Sequence, residues 1–66
     1  MKTTCVLGAN SKEGLENMIN NHFYSENYVI TDDNKIYNRK TMKYLDGYIV
    51  QERKLRWSFR RIEKEN

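Results

Sequence analysis

The stretch LRWSFR, residues 55–60, decides the fold class. Its apolar residues alternate with polar or cationic ones, and this period of two is typical of a β-strand with one buried face and one exposed face. We therefore predict a strand whose apolar side packs on a core through Leu55, Trp57 and Phe59. The opposite side of the same strand carries Arg56, Ser58 and Arg60.

The residues before this strand predict its hairpin partner. Residues 45–51 are β-prone apart from Gly47, and residues 52–54 supply a polar turn. The returning strand then runs over residues 55–62. Immediately upstream, residues 39–44 are polar and basic without a clear period, and we predict an irregular connection there.

A second hairpin is predicted earlier in the chain. Residues 27–31 (NYVIT) and 35–38 (KIYN) are β-prone, and the turn formers Asp32-Asp33-Asn34 lie between them. Residues 3–7 are β-branched and apolar and end at Gly8. We predict that they form a first strand in the interior of the sheet.

One amphipathic helix follows the first strand. Asn10 and Glu13 have the spacing of a capping box, which makes Asn10 the predicted N-cap and Ser11 its competitor. The stripe that would face the core has helical spacing and consists of Leu15, Met18, Ile19, His22 and Phe23.

These elements predict a single α+β domain spanning residues 1–66. One helix packs on a largely antiparallel sheet of four to five strands, in the order βαββββ. Because one helix covers only one face of such a sheet, the other face must meet solvent, a partner or a second copy of the chain. A chain of 66 residues is too short for a second core.

Composition argues against several classes of protein. The chain has one cysteine and one histidine, so we expect no disulfide, no metal site and no cofactor. No signal peptide and no membrane-spanning apolar run is visible, and with the single Cys5 this favours a cytoplasmic protein. No small-molecule substrate is indicated either.

Catalysis would depend on Cys5 activated by His22. A purely structural role for both residues is favoured over catalysis. A cysteine in an apolar strand behaves as a small hydrophobe, and His22 falls on the apolar stripe of the helix. The glycines are isolated and form no phosphate loop. We therefore predict that the protein is not an enzyme.

Charge is unevenly distributed along the chain. Residues 1–38 hold three Lys against five Asp/Glu, whereas residues 39–66 hold nine Lys/Arg against four Asp/Glu. This asymmetry points to an anionic partner. The candidate binding residues lie on the C-terminal hairpin and are Arg56, Arg60, Tyr48, Ser58, Lys54 and Arg53, and Lys40 and Lys43 would extend this surface.

Two functions are consistent with this hairpin. The favoured one is a small non-catalytic binding or regulatory module that docks on a macromolecule, either a protein partner or a second copy as a homodimer. The alternative is a nucleic-acid binder, with Arg56 and Arg60 on phosphates and Tyr48 or Trp57 stacking on bases.

Two further arrangements of the hairpin are open. In one, the arginines are ordinary solvating charges on an exposed sheet face, with Arg56 and Arg60 pairing to Glu52 or Glu63 and discouraging edge-to-edge aggregation. If the register is inverted, Trp57 and Phe59 become an exposed apolar patch, which is typical of a protein interface.

Overall fold

The chain folds into one helix and six strands in the computed structural model, which describes residues 2–63. This confirms the predicted α+β class. The strands form two three-stranded antiparallel sheets, so the prediction of one sheet with four to five strands is wrong. The elements are β1 (Lys2–Ala9), α1 (Lys12–His22), β2 (Tyr28–Ile30), β3 (Ile36–Asn38), β4 (Lys43–Tyr44), β5 (Tyr48–Arg53) and β6 (Arg56–Glu63).

The larger sheet, called sheet A, has the strand order β1-β6-β5. The central strand is β6, whose eight residues pair with β1 on one side and β5 on the other. The first strand therefore lies at an edge, and its predicted interior position is wrong. A register shift between Cys5 and Leu7 interrupts the pairing of β1 with β6.

The smaller sheet, called sheet B, has the strand order β2-β3-β4. The predicted hairpin of β2 and β3 is present, with Asn34 in the left-handed region at φ 61°. The predicted irregular connection over residues 39–44 instead contains β4. Its turn is held by the Asn38 side chain, which accepts from two backbone amides, and by Met42 at φ 60°. These local contacts carry no periodic signal in the sequence.

The helix begins one residue later than the capping box predicts. Ser11 is the N-cap, and its hydroxyl accepts from the Gly14 amide at 3.0 Å, so Asn10 lies outside the helix. The C-terminal end is a Schellman motif in which Tyr24 occupies the left-handed position at φ 53°. Glycine is the usual residue there because it has no Cβ.

The buried stripe of the helix is narrower than predicted. Leu15 and Ile19 are fully buried, and Phe23 packs against the core from the residue after the helix. Met18 and His22 are exposed. The core between α1 and the two sheets consists of Leu15, Ile19, Ile30, Ile36, Val50 and Phe59.

Polar side chains of α1 join the helix to β2. Asn20 accepts from the Tyr28 amide at 2.8 Å and donates to the Tyr28 carbonyl at 2.9 Å. Glu16 accepts from the Ile30 amide at 3.0 Å. These bonds pair backbone groups on the edge of β2 as a neighbouring strand would, and unpaired groups there would be costly. Sheet B is thereby anchored to the helix.

Candidate functional site

The C-terminal hairpin turns at Lys54 and Leu55, later than the predicted turn over residues 52–54. Arg53 is therefore the last residue of β5 and lies directly opposite Arg56. Leu55 was predicted to face the core, but it sits in the turn and is 82% exposed. The two-residue turn leaves no strand position for it.

The two faces of β6 have the polarity that the sequence predicts. Phe59 is fully buried and Trp57 packs partly against the core on the side of α1, so the inverted register is excluded. Arg56, Ser58 and Arg60 lie on the other side.

Tyr48 does not join these arginines. It lies directly opposite Arg61, and its ring stacks on Phe59 with centroids 4.8 Å apart. Residues directly opposite in a sheet share a face, so Tyr48 belongs to the helix-facing side. Its predicted place on the arginine side is wrong, because alternation along β5 puts Ile49, Gln51 and Arg53 there instead.

The side of sheet A that faces away from α1 is called the arginine face. It carries a shallow depression of about 390 Å³. Ser58 is only 5% exposed at this site, whereas Arg53 and Arg56 are exposed and Arg60 is half-buried. Lys54 is exposed in the adjoining turn. The depression is lined by Thr3, Gln51, Arg53, Arg56, Ser58 and Arg60.

Arg60 is held in place by β1. Its Nε donates to the Thr3 hydroxyl at 2.7 Å, and its terminal nitrogen donates to the Thr3 carbonyl at 3.2 Å. A guanidinium has five N–H donors, so three remain for a ligand after these two bonds. Arg60 thus both joins β6 to β1 and presents a fixed cation.

Arg56 extends over β1 at Gly8. A Cβ on Gly8 would lie 2.5 Å from a terminal guanidinium nitrogen of Arg56. The absence of a side chain at Gly8 therefore provides the space in which Arg56 rests against the sheet.

In the part of the chain that the structure describes, no carboxylate forms an ion pair with Arg53 or Arg56 at the hairpin end. Like charges directly opposite in a sheet are destabilising, and Arg53 and Arg56 are such a pair. The ion pairs found within residues 2–63 are Lys12–Asp32 and Arg61–Glu63, neither of which lies on this face. The expected pairing of Arg56 and Arg60 with Glu52 or Glu63 is therefore not found in this part of the chain.

Glu63 is engaged elsewhere. Its carboxylate accepts from the Thr4 hydroxyl at 2.6 Å and from Arg61 at 3.2 Å. The hydrogen bond from Thr4, followed by the one from Arg61, lowers the pKa of Glu63 below its ordinary value. Glu63 therefore stays ionised at neutral pH without neutralising the arginine face.

Cys5 and His22 lie on opposite sides of sheet A. Cys5 is exposed and directly opposite Arg60, whereas His22 is exposed at the end of α1 and contacts Phe23 edge-on at 4.8 Å. The sheet separates the thiol from the imidazole. Within residues 2–63, no three His, Cys, Asp or Glu side chains are placed to bind a metal ion.

The only helix in residues 2–63 has eleven residues, and no helix of this part is long and apolar enough to cross a membrane. No protein-family model, curated protein or solved structure matches the chain.

Three residues of the site were not predicted from the sequence. Thr3 anchors Arg60, Gly8 accommodates Arg56, and Gln51 lies directly opposite Ser58. Gln51 and Arg53 follow from strict alternation along β5 once the turn is placed at residues 54–55. Thr3 and Gly8 depend on the long-range pairing of β1 with β6, for which the sequence has no local signal.

Proposed function

We propose that this protein is a small non-catalytic binding module whose arginine face docks on the phosphates of a nucleic acid. The observation that carries the proposal is the set of Arg53, Arg56 and Arg60 on one sheet face, with no carboxylate paired to them within residues 2–63. Guanidinium groups bind phosphate oxygens in a bidentate manner, and uncompensated cations favour an anionic ligand.

Two features support phosphate as the ligand of this face. Phe59 and Trp57 pack towards the helix, so the exposed aromatic patch that would favour a protein interface is missing from β6. Arg53 and Arg56 are directly opposite each other, and like charges in this arrangement are destabilising, so a bound anion would be favourable there. We also propose a cytosolic location, because Cys5 is a free, exposed thiol, which suits a reducing compartment.

The test compares two substitutions that remove the same charge from the two faces of β6. Arg56→Gln changes the arginine face, and Arg61→Gln changes the helix-facing side. Binding of a labelled oligonucleotide is measured by fluorescence anisotropy between about 50 and 200 mM salt. Each phosphate contact that is lost reduces the slope of log K against log salt by about 0.7 to 0.9.

We expect this reduction for Arg56→Gln, and we expect Arg61→Gln to keep the wild-type slope. Equal effects of the two variants would mean that only net charge matters and would contradict a specific face. Absence of binding even at the lower salt concentration would reject nucleic acid and direct the search to an acidic protein.

Self-association is the second candidate, because β1 is an edge strand of eight residues that pairs only with β6 in the described chain. An exposed edge strand can pair with a second copy. Sedimentation velocity over a range of protein concentrations tests this homodimer, and a monomer at every concentration would reject it.

A further inference from the structure

Sheet B has a face directed away from the core. Alternation along its strands places Ile30 and Ile36 in the core and directs Val29, Tyr37 and Tyr44 to the other side. These three residues are called the tyrosine patch. The Tyr37 and Tyr44 rings are 5.1 Å apart and inclined at 62°, and Tyr44 is 54% exposed.

The segment that forms this patch is strongly cationic. Residues 34–45 (NKIYNRKTMKYL) contain four Lys or Arg and no Asp or Glu. All four cations are exposed, and none takes part in an ion pair within residues 2–63. They are Lys35, Arg39, Lys40 and Lys43. The two phenol rings therefore belong to a segment whose formal charge is +4, and Asp33 and Asp46 flank it on either side.

The tyrosine patch and the arginine face adjoin each other. A depression of about 360 Å³ lies between them, and its lining includes Lys35, Tyr44 and the carboxylate of Asp46 near sheet B together with Ile49 and Ile62 of sheet A. Ile49 lies directly opposite Arg60, so the depression begins where the arginine face ends. The seven residues from Arg56 to Ile62 span about 20 Å along β6.

We infer that the tyrosine patch stacks on the bases of a single-stranded nucleic acid whose phosphates lie on the arginine face. Proteins that bind single strands combine a cationic path for the backbone with aromatic platforms for the bases. A duplex keeps its bases stacked inside. Its phosphates would therefore contact the arginine face, but its bases would not stack on the tyrosines. The inference rests on the proposed function and adds the type of nucleic acid that is bound.

An acidic protein would not need aromatic rings beside the cationic residues. Carboxylates would pair with the guanidinium groups alone, whereas paired phenol rings among lysines offer a surface for planar bases. The structure therefore favours a single strand over an acidic polypeptide. Poly-glutamate serves as the competing ligand in the test.

The experiment uses a labelled single strand of about twelve nucleotides, within the range that small single-strand modules cover. A duplex of the same sequence and a labelled poly-glutamate peptide are titrated in parallel by fluorescence anisotropy. The variants are Tyr44→Ala, Tyr44→Phe and, as the matched control, Tyr24→Ala. Tyr24 is 98% exposed but follows the helix and lies outside the patch.

We expect Tyr44→Ala to weaken single-strand binding by roughly tenfold, as loss of one stacked base implies, and to leave duplex binding unchanged. Tyr44→Phe keeps the ring and should bind as the wild type does, and Tyr24→Ala should do the same. If Tyr44→Ala perturbs the circular dichroism spectrum, its loss of binding is not interpreted. The test then depends on wild-type-like binding by Tyr44→Phe and on a higher affinity of the wild type for the single strand than for the duplex.

The inference is overturned if Tyr44→Ala binds the single strand normally, if the wild type does not prefer the single strand, or if poly-glutamate binds as tightly. Its failure differs from that of the proposed function. If only the tyrosine inference fails, the arginine variants still change the salt dependence of binding. If the proposed function fails, no polynucleotide binds at all.

Discussion

Replacement of Asn20 by alanine tests the link between the helix and sheet B. The Asn20 side chain makes three hydrogen bonds, two to the backbone of Tyr28 and one to the Glu16 carbonyl at 3.1 Å. Each bond contributes about 0.5 to 1.5 kcal/mol, and partners left unpaired add to the loss. Alanine regains about 0.6 kcal/mol through its higher helix propensity.

The expected net loss in the free energy of unfolding is about 2 kcal/mol. For a domain of this size, that lowers Tm by roughly 8 to 16 °C. Thermal and urea unfolding followed by circular dichroism measure this loss. Hydrogen exchange of the Tyr28 amide gives a local readout, because this amide loses its acceptor in the variant.

Asn17→Ala is the matched control for this experiment. Asn17 lies on the same helix and is exposed, so its replacement should raise stability by up to about 0.6 kcal/mol through propensity. The reasoning is refuted if the two alanine variants agree within about 0.5 kcal/mol, since ordinary hydrogen bonds would then be absent at Asn20.

Three further predictions concern the core, the helix end and pH. Phe59→Ala should cost about 3 to 5 kcal/mol and leave the domain largely unfolded in a circular dichroism melt, whereas Phe59→Leu should remain folded. Tyr24→Gly should stabilise by about 0.5 to 1 kcal/mol, seen as a higher Tm, because glycine adopts the left-handed conformation without strain. The lowered pKa of Glu63 means that the Thr4 contact stabilises the fold above the ordinary value of 4.5 and is lost as pH falls through the folded-state pKa. Thr4→Val should therefore lower the urea midpoint near neutral pH and match the wild type in strong acid; an equal difference at both pH values would contradict this cause.

Local patterns predicted several elements from the sequence. The helix, the β2–β3 hairpin and the opposite faces of β6 follow from periodicity and turn chemistry over fewer than a dozen residues each. Phe59 and Arg60 accordingly lie on the sides of β6 that alternation assigns. These features depend on neighbouring residues in the chain.

Long-range pairing explains what the sequence did not predict. The division into two sheets follows from pairing β1 with β6, whose partners Lys2 and Glu63 are almost a full chain apart. The placement of Tyr48 depended on the turn, since a one-residue change in register moves a side chain to the other face. At the edge of β2, the side chains of Asn20 and Glu16 bond the backbone in place of a neighbouring strand, and no sequence pattern predicts this.

The most direct test of the central claim maps the surface that a single strand contacts. A ¹⁵N-labelled sample is titrated with an oligonucleotide of about twelve nucleotides, and backbone amide shifts are followed by NMR. We predict that the largest changes fall on the arginine face, at Gly8, Gln51 and Ser58. Changes confined to the exposed side of α1 around Asn17, or no changes at all, would contradict the claim that this face binds nucleic acid.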